Sequence, residues 1–288
     1  MRPNLVLYHG GCRDGFAAAW VAHRAMPDAE FRAVSYGQPA PIADALDRWV
    51  YVLDFCYPLA EMVALSGAAK QLFVLDHHKT AEAALRDFKA ANAKVIFDME
   101  RSGAGITADW FLSGTETRHS PPPWPVAYVE DRDLWRFKLA DSEVVNAYLS
   151  IVPFDFVAWD DLNAKHTPAS VFTAGRAVEA KTANYVAEVR KNARRVTFEG
   201  HDVPIVNAPQ VDISELVGAM CDGETFAMGW WQRSDGQFSY SLRSRGDFDV
   251  SALATKHGGG GHKNAAGFLS ASLIGELTRR AHLKARIP

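Results

Sequence analysis

Residues 72–79 read LFVLDHHK, and this stretch decides the fold. Its four consecutive apolar residues are typical of a strand that is buried on both faces, and the run stops at Asp76. The same pattern occurs three more times: Leu5–Tyr8 stops at His9, Val50–Leu53 stops at Asp54, and Val95–Phe97 stops at Asp98. Strands of this kind indicate a sheet that is covered on both sides.

Between these runs, small and apolar residues recur at helical spacing. The helix candidates are Phe16–Met26, Leu59–Ala68, Ala81–Ala90 and Ile106–Leu112. Strands that alternate with helices predict a parallel α/β sheet. Ligands of such sheets bind beyond the carboxyl ends of the strands, so we expect His9, Asp54 and Asp76 to meet at one edge. An aspartate at a strand end is also a common helix cap, which leaves a purely structural role open.

The chain is long enough for about two domains, since its 288 residues compare with roughly 150 per domain. A long helix is predicted over Ser170–Val196. Beyond Gly200 the pattern changes to short strands and turns, at Val203–Val206, Phe226–Trp231 and Phe238–Arg243. The second part of the chain is therefore expected to form a smaller α+β domain.

The formal net charge of −3 argues against a protein that wraps long duplex nucleic acid through a broad basic surface. The three cysteines, Cys12, Cys56 and Cys221, form no CxxC pair, so no disulfide framework is expected. No apolar run approaches the ~18 residues of a membrane span, and the first residues do not resemble a signal peptide. These patterns predict a cytoplasmic protein without a membrane partner.

Two clusters could hold a metal ion together with Asp54. Residues 9–15 read HGGCRDG and combine an imidazole, a thiol and a carboxylate in a glycine-rich turn, and residues 76–79 read DHHK. Imidazole and carboxylate ligands suit manganese, iron or zinc. Because adjacent residues of an extended segment point in opposite directions, His77 and His78 are expected to differ in role, one binding metal and the other facing substrate.

These motifs resemble those of the DHH phosphoesterase superfamily. The resemblance includes residues 9–15, Asp54, the DHH triplet at 76–78 and the region of Asp131. In the second half, the strings SLRS at 241–244 and GGGGHKNAAG at 258–267 resemble the family's DHHA1 domain. The resemblance implies a parallel-sheet DHH domain over residues 1–192, which includes the connecting helix, and a DHHA1-like α+β domain over residues 196–288. It also implies a substrate cleft between them.

The resemblance implies two divalent metal ions, manganese first, with magnesium, iron or zinc as alternatives. The matched metal positions are His9, Asp14, Asp54, His77 and Asp131, with Asp54 bridging the ions. His78 matches a position that faces the substrate phosphate, and Asp76 one that orients its neighbours. The matched substrate-binding positions are Arg243, Ser244, Gly260, Gly261 and His262, and Arg243 is also expected to stabilise the reacting phosphate.

Two of these positions leave alternatives open. The family carries an aspartate where this chain has Cys12, so Cys12 is either a soft ligand that favours iron or zinc, or a bystander. Asp133 is an alternative to Asp131, because both lie in the same short acidic stretch.

The resulting hypothesis is an enzyme of the phosphodiesterase or exonuclease type. It would hydrolyse phosphodiester bonds of short oligonucleotides or dinucleotides, using two metal ions to activate water. The alternatives are a phosphatase that acts on 3′-phosphoadenosine 5′-phosphate or polyphosphate, and a non-catalytic nucleic-acid-binding protein. The partners expected are a short nucleotide substrate and, at most, a second copy of the chain in a homodimer.

Overall fold

A computed structural model describes residues 2–112 and 121–274. The chain divides into two compact units, Met1–Glu179 and Ala180–Pro288. The last part of the predicted second domain, residues 275–288, lies outside the described residues. The assignment of residues 1–192 and 196–288 to DHH and DHHA1-like domains remains a prediction.

The first unit is built on a parallel sheet, as the apolar runs predict. Its strands are β1 (Leu5–His9), β2 (Glu30–Val34), β3 (Trp49–Leu53), β4 (Gln71–Asp76) and β5 (Ala93–Phe97). They lie in the order β2-β1-β3-β4-β5, and every neighbouring pair is parallel. The carboxyl ends of β1, β3 and β4 are therefore adjacent, which brings the polar residues that follow them to one edge.

Helices cover both faces of this sheet. They are α1 (Arg13–Ala25), α2 (Ile42–Ala45), α3 (Leu59–Ala68), α4 (Lys79–Ala84), α5 (Gly103–Leu112), α6 (Trp124–Asp133), α7 (Ser142–Leu149) and α8 (Phe156–Lys165). Val6 and Leu53 belong to the core on the face of α1, α5 and α6, whereas Leu5 and Val52 belong to the core on the face of α3. Alternate strand residues thus enter opposite cores, which explains why the strands are continuously apolar.

Four helix predictions need correction at their ends. α1 begins at Arg13, before the predicted Phe16. α4 ends at Ala84 rather than Ala90, because the apolar residues Leu85 and Phe88 continue through a turn. α5 begins at Gly103, before the predicted Ile106. α9 (Pro168–Val189) ends before the predicted Val196, where a 3₁₀ turn leads into a strand.

In its described part, the second unit contains the end of α9, a mixed sheet and two short helices. Its elements are β6 (Arg194–Phe198), β7 (His201–Asn207), α10 (Ile213–Ala219), β8 (Ala227–Gln232), β9 (Phe238–Arg243), α11 (Val250–Lys256), β10 (Gly260–His262) and β11 (Ala265–Ser270). The strand order is β10-β11-β9-β8-β7-β6, with β7 and β8 parallel and the other pairs antiparallel. The predicted fold class, a parallel α/β domain followed by a smaller α+β domain, is confirmed. Within the described residues, no helix combines the length and apolar character needed to cross a membrane.

Candidate metal centre

Asp54 lies at the middle of the candidate centre, directly after β3. It is buried, and its two carboxylate oxygens face two different imidazoles. Oδ2 lies 3.4 Å from Nδ1 of His9, and Oδ1 lies 3.2 Å from Nε2 of His77. Although burial alone would raise the pKa of Asp54, these two histidines hold it well below its ordinary value.

The backbone of Asp54 is left-handed, with a φ of 54°. Few residues other than glycine adopt this conformation, and aspartate and asparagine are the usual exceptions. The amide N–H of Asp54 donates to the carbonyl oxygen of Leu75 at 2.9 Å, which ties the turn to β4. A Cβ placed on Gly103 would lie 2.5 Å from the Cβ of Asp54 and 2.8 Å from its Oδ1, so the start of α5 packs directly on this side chain.

Asp14, in the first turn of α1, is held by the N-terminus of α5. Its Oδ2 accepts a hydrogen bond from the amide of Gly103 at 2.6 Å, and its Oδ1 accepts one from the amide of Ala104 at 3.2 Å. Free amides at a helix N-terminus favour an anion. Nevertheless, burial together with the charges of Asp54 and Asp133 raises the pKa of Asp14 well above its ordinary value.

The structure brings Asp133 to the cluster, and not Asp131. Oδ2 of Asp133 lies 3.5 Å from Nε2 of His77. The carboxylate of Asp131 instead accepts hydrogen bonds from the backbone amides of Lys138 at 2.9 Å and Leu139 at 3.2 Å. Both aspartates lie in α6, and residues two apart on a helix point about 200° away from each other, so only one of them can face the centre.

The cluster concentrates negative charge that the described residues do not neutralise fully. Both oxygens of Asp54 and Oδ2 of Asp133 are buried and make no hydrogen bond of normal geometry to the described residues. Burial alone would lower the pKa of His77, but the close contact with the Asp54 carboxylate and the charges of the neighbouring carboxylates raise it to about 11. Carboxylates at this density favour the binding of a cation.

The spacing of the donor atoms fits a divalent cation. Nε2 of His77 lies 3.2, 3.6 and 3.5 Å from carboxylate oxygens of Asp54, Asp14 and Asp133, respectively. Ligands at about 2.1 Å from an octahedral ion lie about 3 Å from their neighbours, so these atoms need to move little to surround one. Imidazole and carboxylate donors together suit manganese, iron or zinc, and the carboxylates also suit magnesium.

Apart from a set formed by Asp54, Asp76 and His78, the donors fall into two sets that share Asp54. In one set, ligand atoms of Asp14, Asp54 and His77 all lie within 4.8 Å of one another. In the other set, ligand atoms of His9, Cys12 and Asp54 also lie within 4.8 Å of one another. The residues present therefore fit metal binding on both sides of Asp54.

Asp76 orients the second histidine of the DHH triplet. The Asp76 side chain is fully buried, and its Oδ1 lies 2.7 Å from Nδ1 of His78. The same oxygen accepts a hydrogen bond from the backbone amide of His77 at 2.7 Å. Because an ionised carboxylate can only accept a hydrogen bond, we place a proton on Nδ1 of His78. This leaves Nε2 as the ring nitrogen that can contact another group.

In the second unit, Arg243 and His262 share one face of the sheet. Each pairs in register with Ala265 from opposite sides of β11, so the three side chains point the same way. Arg243 donates to Ser241 at 3.0 Å and to Ser214 at 2.6 Å. A cationic guanidinium beside an imidazole suits a phosphate group.

Ser244 does not belong to this face as a free donor. It is buried, its hydroxyl donates to the carbonyl oxygen of Phe248 at 2.7 Å, and it accepts a hydrogen bond from Asn264 at 2.9 Å. The Ser244 side chain therefore holds the loop that follows β9, which differs from the substrate-binding role expected for it.

The glycine string has a steric explanation within the hairpin of β10 and β11. A Cβ on Gly259 would lie 2.1 Å from the carbonyl oxygen of Gly267. Gly261 has a φ of 138°, and a Cβ there would lie 2.6 Å from the carbonyl oxygen of Ala265. Gly260 lies in β10, opposite Gly267, where neither residue adds a side chain to the face that carries Arg243.

Solved structures resemble this chain over most of its length. The pGpG-specific phosphodiesterase PggH from Vibrio cholerae matches with a TM-score of 0.51 at 13% identity, covering 98% of each chain. An exopolyphosphatase-related protein from Bacteroides fragilis matches with a TM-score of 0.52 at 12% identity, covering 96% of this chain and 89% of that one. RecJ in complex with Mn²⁺ from Thermus thermophilus matches with a TM-score of 0.53 at 14% identity, covering all of this chain and 53% of RecJ.

The chain has the DHH fold. No family model matches its sequence. An uncharacterized protein of Acanthamoeba polyphaga mimivirus is 27% identical over 305 residues, which cover 95% of this chain and 69% of that protein.

Within this DHH fold, the sequence prediction does not include Gly103 and Ala104, whose amides hold Asp14. A signal was present, since residues 101–105 read RSGAG and combine two glycines with the start of a helix after a strand. The prediction also omits Tyr36, whose ring centroid lies 5.3 Å from that of His9. A single aromatic residue after an edge strand carries no such signal.

Proposed function

We propose that the chain is a divalent-metal-dependent phosphoesterase that hydrolyses phosphodiester bonds of short oligonucleotides or dinucleotides. The observation that carries the proposal is the cluster formed around His77 by the buried Asp14 and Asp54 and the partly buried Asp133. It lies at the strand ends where parallel sheets bind ligands. The DHH fold shared with a pGpG-specific phosphodiesterase and with RecJ bound to Mn²⁺ supports this choice of reaction and metal.

The proposed ligands are His9, Asp14, Asp54, His77 and Asp133, with Asp133 in place of Asp131. Manganese is the first candidate, with magnesium, iron and zinc as alternatives. Bound divalent ions would lower the pKa of a water molecule and neutralise charge on the phosphate oxygens. The chain contributes a rigid frame, because the α5 amides hold Asp14 and the left-handed turn holds Asp54.

His78 is proposed to contact the substrate phosphate. Its Nδ1 is committed to Asp76, so Nε2 is the atom that can donate a hydrogen bond to, or receive one from, the reacting group. Asp76 acts as a positioning residue, because it sets the ring orientation and proton position of His78 without contacting substrate itself.

The second unit is proposed to bind a phosphate of the substrate through Arg243 and His262. Gly260 and Gly267 leave space on the same face, since they carry no side chain. The net charge of −3 favours a short substrate over a long polyanion.

A second candidate is hydrolysis of polyphosphate or of the monoester in 3′-phosphoadenosine 5′-phosphate. The fold shared with the exopolyphosphatase-related protein from Bacteroides fragilis favours it. The same metal centre would serve this reaction, so the substrates must be compared directly.

A hydrolysis panel with Mn²⁺, Mg²⁺ or a chelator tests both candidates. The substrates are short RNA oligomers, linear and cyclic dinucleotides, 3′-phosphoadenosine 5′-phosphate and polyphosphate. We expect cleavage of a short phosphodiester with Mn²⁺ and none with the chelator. Cleavage of polyphosphate alone would overturn the phosphodiesterase proposal in favour of the second candidate, and hydrolysis that survives the chelator would overturn the metal centre.

A further inference from the structure

Cys12 is an unusual residue for its position in the fold. It is the N-cap residue of α1, and its thiol interacts with the backbone of Gly15 without making a capping hydrogen bond of normal geometry. Serine, threonine, asparagine and aspartate are preferred at N-caps because their oxygen atoms accept from the first free amides of a helix. Sulfur is a weak acceptor, so a cysteine here stabilises the helix less than those residues would, and the other contacts of the thiol need to be considered.

The geometry of the strand edge supplies that contact. Sγ of Cys12 and ligand atoms of His9 and Asp54 all lie within 4.8 Å of one another. Nδ1 of His9 and Oδ2 of Asp54 are both buried and make no hydrogen bond of normal geometry to the described residues. These two atoms lie 3.4 Å from each other and close to the thiol, and neither makes the hydrogen bond of normal geometry that a buried polar atom usually has.

This donor set differs in chemistry from the one on the other side of Asp54. There, the carboxylate of Asp54 faces His77 and the further carboxylates of Asp14 and Asp133. Around Cys12 the donors are one nitrogen, one sulfur and one shared oxygen. Thiolate ligands select softer ions such as Zn²⁺, and imidazole suits Zn²⁺ and Fe²⁺, whereas carboxylate and water suit Mg²⁺ and Mn²⁺.

We propose that Cys12 is a metal ligand and that His9, Cys12 and Asp54 form a site that binds Zn²⁺ or Fe²⁺ in preference to Mg²⁺ or Mn²⁺. The proposal rests on the metal centre of the proposed function and makes its two ion positions chemically unequal. As the metal–sulfur bond forms, the S–H bond breaks and its proton passes to solvent. Since the chain supplies three donors here, a bound ion would take a further ligand from solvent or substrate.

Absorption spectroscopy of the full-length protein loaded with Co²⁺ tests this directly. A thiolate bound to Co²⁺ produces an intense sulfur-to-metal charge-transfer band in the near ultraviolet. We expect the band in the unmodified protein and its loss in both Cys12→Ser and Cys12→Asp. Cys56→Ser is the matched control, because Cys56 is a buried cysteine that follows β3 at the same edge but belongs to no set of ligand atoms among the described residues. It should keep the band.

Competition between Zn²⁺ and Mn²⁺ provides a second measurement. Cys12→Asp, which replaces sulfur by oxygen, should lower the preference for Zn²⁺ by at least about tenfold, since changes even outside the ligand shell cost tenfold or more in metal affinity. A Co²⁺ spectrum without the band, or a band that survives in Cys12→Ser, would overturn the assignment of Cys12.

These outcomes are separate from those of the hydrolysis panel, because no substrate is present. A charge-transfer band in a protein that cleaves no phosphoester would sustain the thiolate site while the proposed function fails. Metal-dependent hydrolysis by a protein that never shows the band would sustain the proposed function while the thiolate site fails.

Discussion

The contact between Gly103 and Asp54 allows a sharp prediction for Gly103→Ala. The new Cβ would lie 2.5 Å from the Cβ of Asp54, whereas ordinary contact begins near 3.4 Å. Asp54 or the start of α5 must therefore move by about an ångström. Overpacking of this kind costs about 1–3 kcal/mol of folding stability. A displacement of about 1 Å in a catalytic group costs about a hundredfold in rate.

We expect Gly103→Ala to lose about a hundredfold in Mn²⁺-dependent turnover, with a smaller loss of stability in urea unfolding. Gly67→Ala is the matched control, since Gly67 lies near the end of α3 and a Cβ there meets no atom within 4 Å. That variant should gain up to about 1 kcal/mol of stability and keep its turnover. Unchanged turnover and metal affinity in Gly103→Ala would refute the idea that the α5 N-terminus fixes Asp54.

Three further predictions follow from the same contacts. Asp133→Asn should weaken Mn²⁺ binding by at least about tenfold in calorimetry. Asp131→Asn should instead chiefly lower thermal stability. Equal Mn²⁺ affinities of the two variants would contradict the placement of Asp133. Because the pKa of about 11 keeps a proton on His77 in the metal-free centre near neutral pH, Mn²⁺ affinity should rise with pH and binding should release protons. Calorimetry in buffers of different ionisation enthalpy detects this release, and a pH-independent affinity would count against it. Arg101→Ala removes a buried guanidinium that is hydrogen-bonded to Glu130 at 2.8 Å, and it should lower the free energy of unfolding in urea by about 3–5 kcal/mol. Arg195→Ala removes an exposed guanidinium and should change the stability little. Similar losses of stability in both variants would show that burial of the arginine does not determine the effect.

The sequence predicts the buried strands of the first sheet well, because a continuous apolar run that stops at a polar residue is typical of a strand covered on both faces. It does not predict β2, whose five residues include the charged Glu30 and Arg32. This strand lies at the sheet edge and buries only Val34, so its side chains pair with one another and with Asp44 instead of entering a core. β2 therefore lacks the continuous apolar run on which the prediction depends, whereas the other edge strand, β5, keeps one at Val95–Phe97.

The hairpin of β10 and β11 is missed for a different reason. Glycine is depleted in strands, so a glycine string is typical of a loop. Here the glycines are required because the two strands and the preceding turn approach closely, as at Gly259 and Gly261. Such contacts are set by the tertiary structure and are not visible in a local pattern.

For the candidate centre, the sequence predicts that His9, Asp54 and Asp76 lie at one edge of the sheet, because each of them ends or follows a predicted parallel strand. The choice between Asp131 and Asp133 depends on the rotation of α6 about its axis, which only packing determines. The amides of Gly103 and Ala104 lie about ninety residues from Asp14 in the chain, and long-range backbone contacts of this kind carry no signature in residue type.

The left-handed turn at Asp54 changes how variants of this residue should be interpreted. Alanine at a φ of 54° adds a backbone penalty of about 1–2 kcal/mol to the loss of the carboxylate. Asparagine tolerates this conformation and keeps the shape of the side chain. Asp54→Asn therefore isolates the effect of charge, whereas Asp54→Ala combines it with strain and Asp54→Glu combines strain with a longer reach. The backbone thus restricts the residues that can occupy the shared ligand position before any metal chemistry is considered.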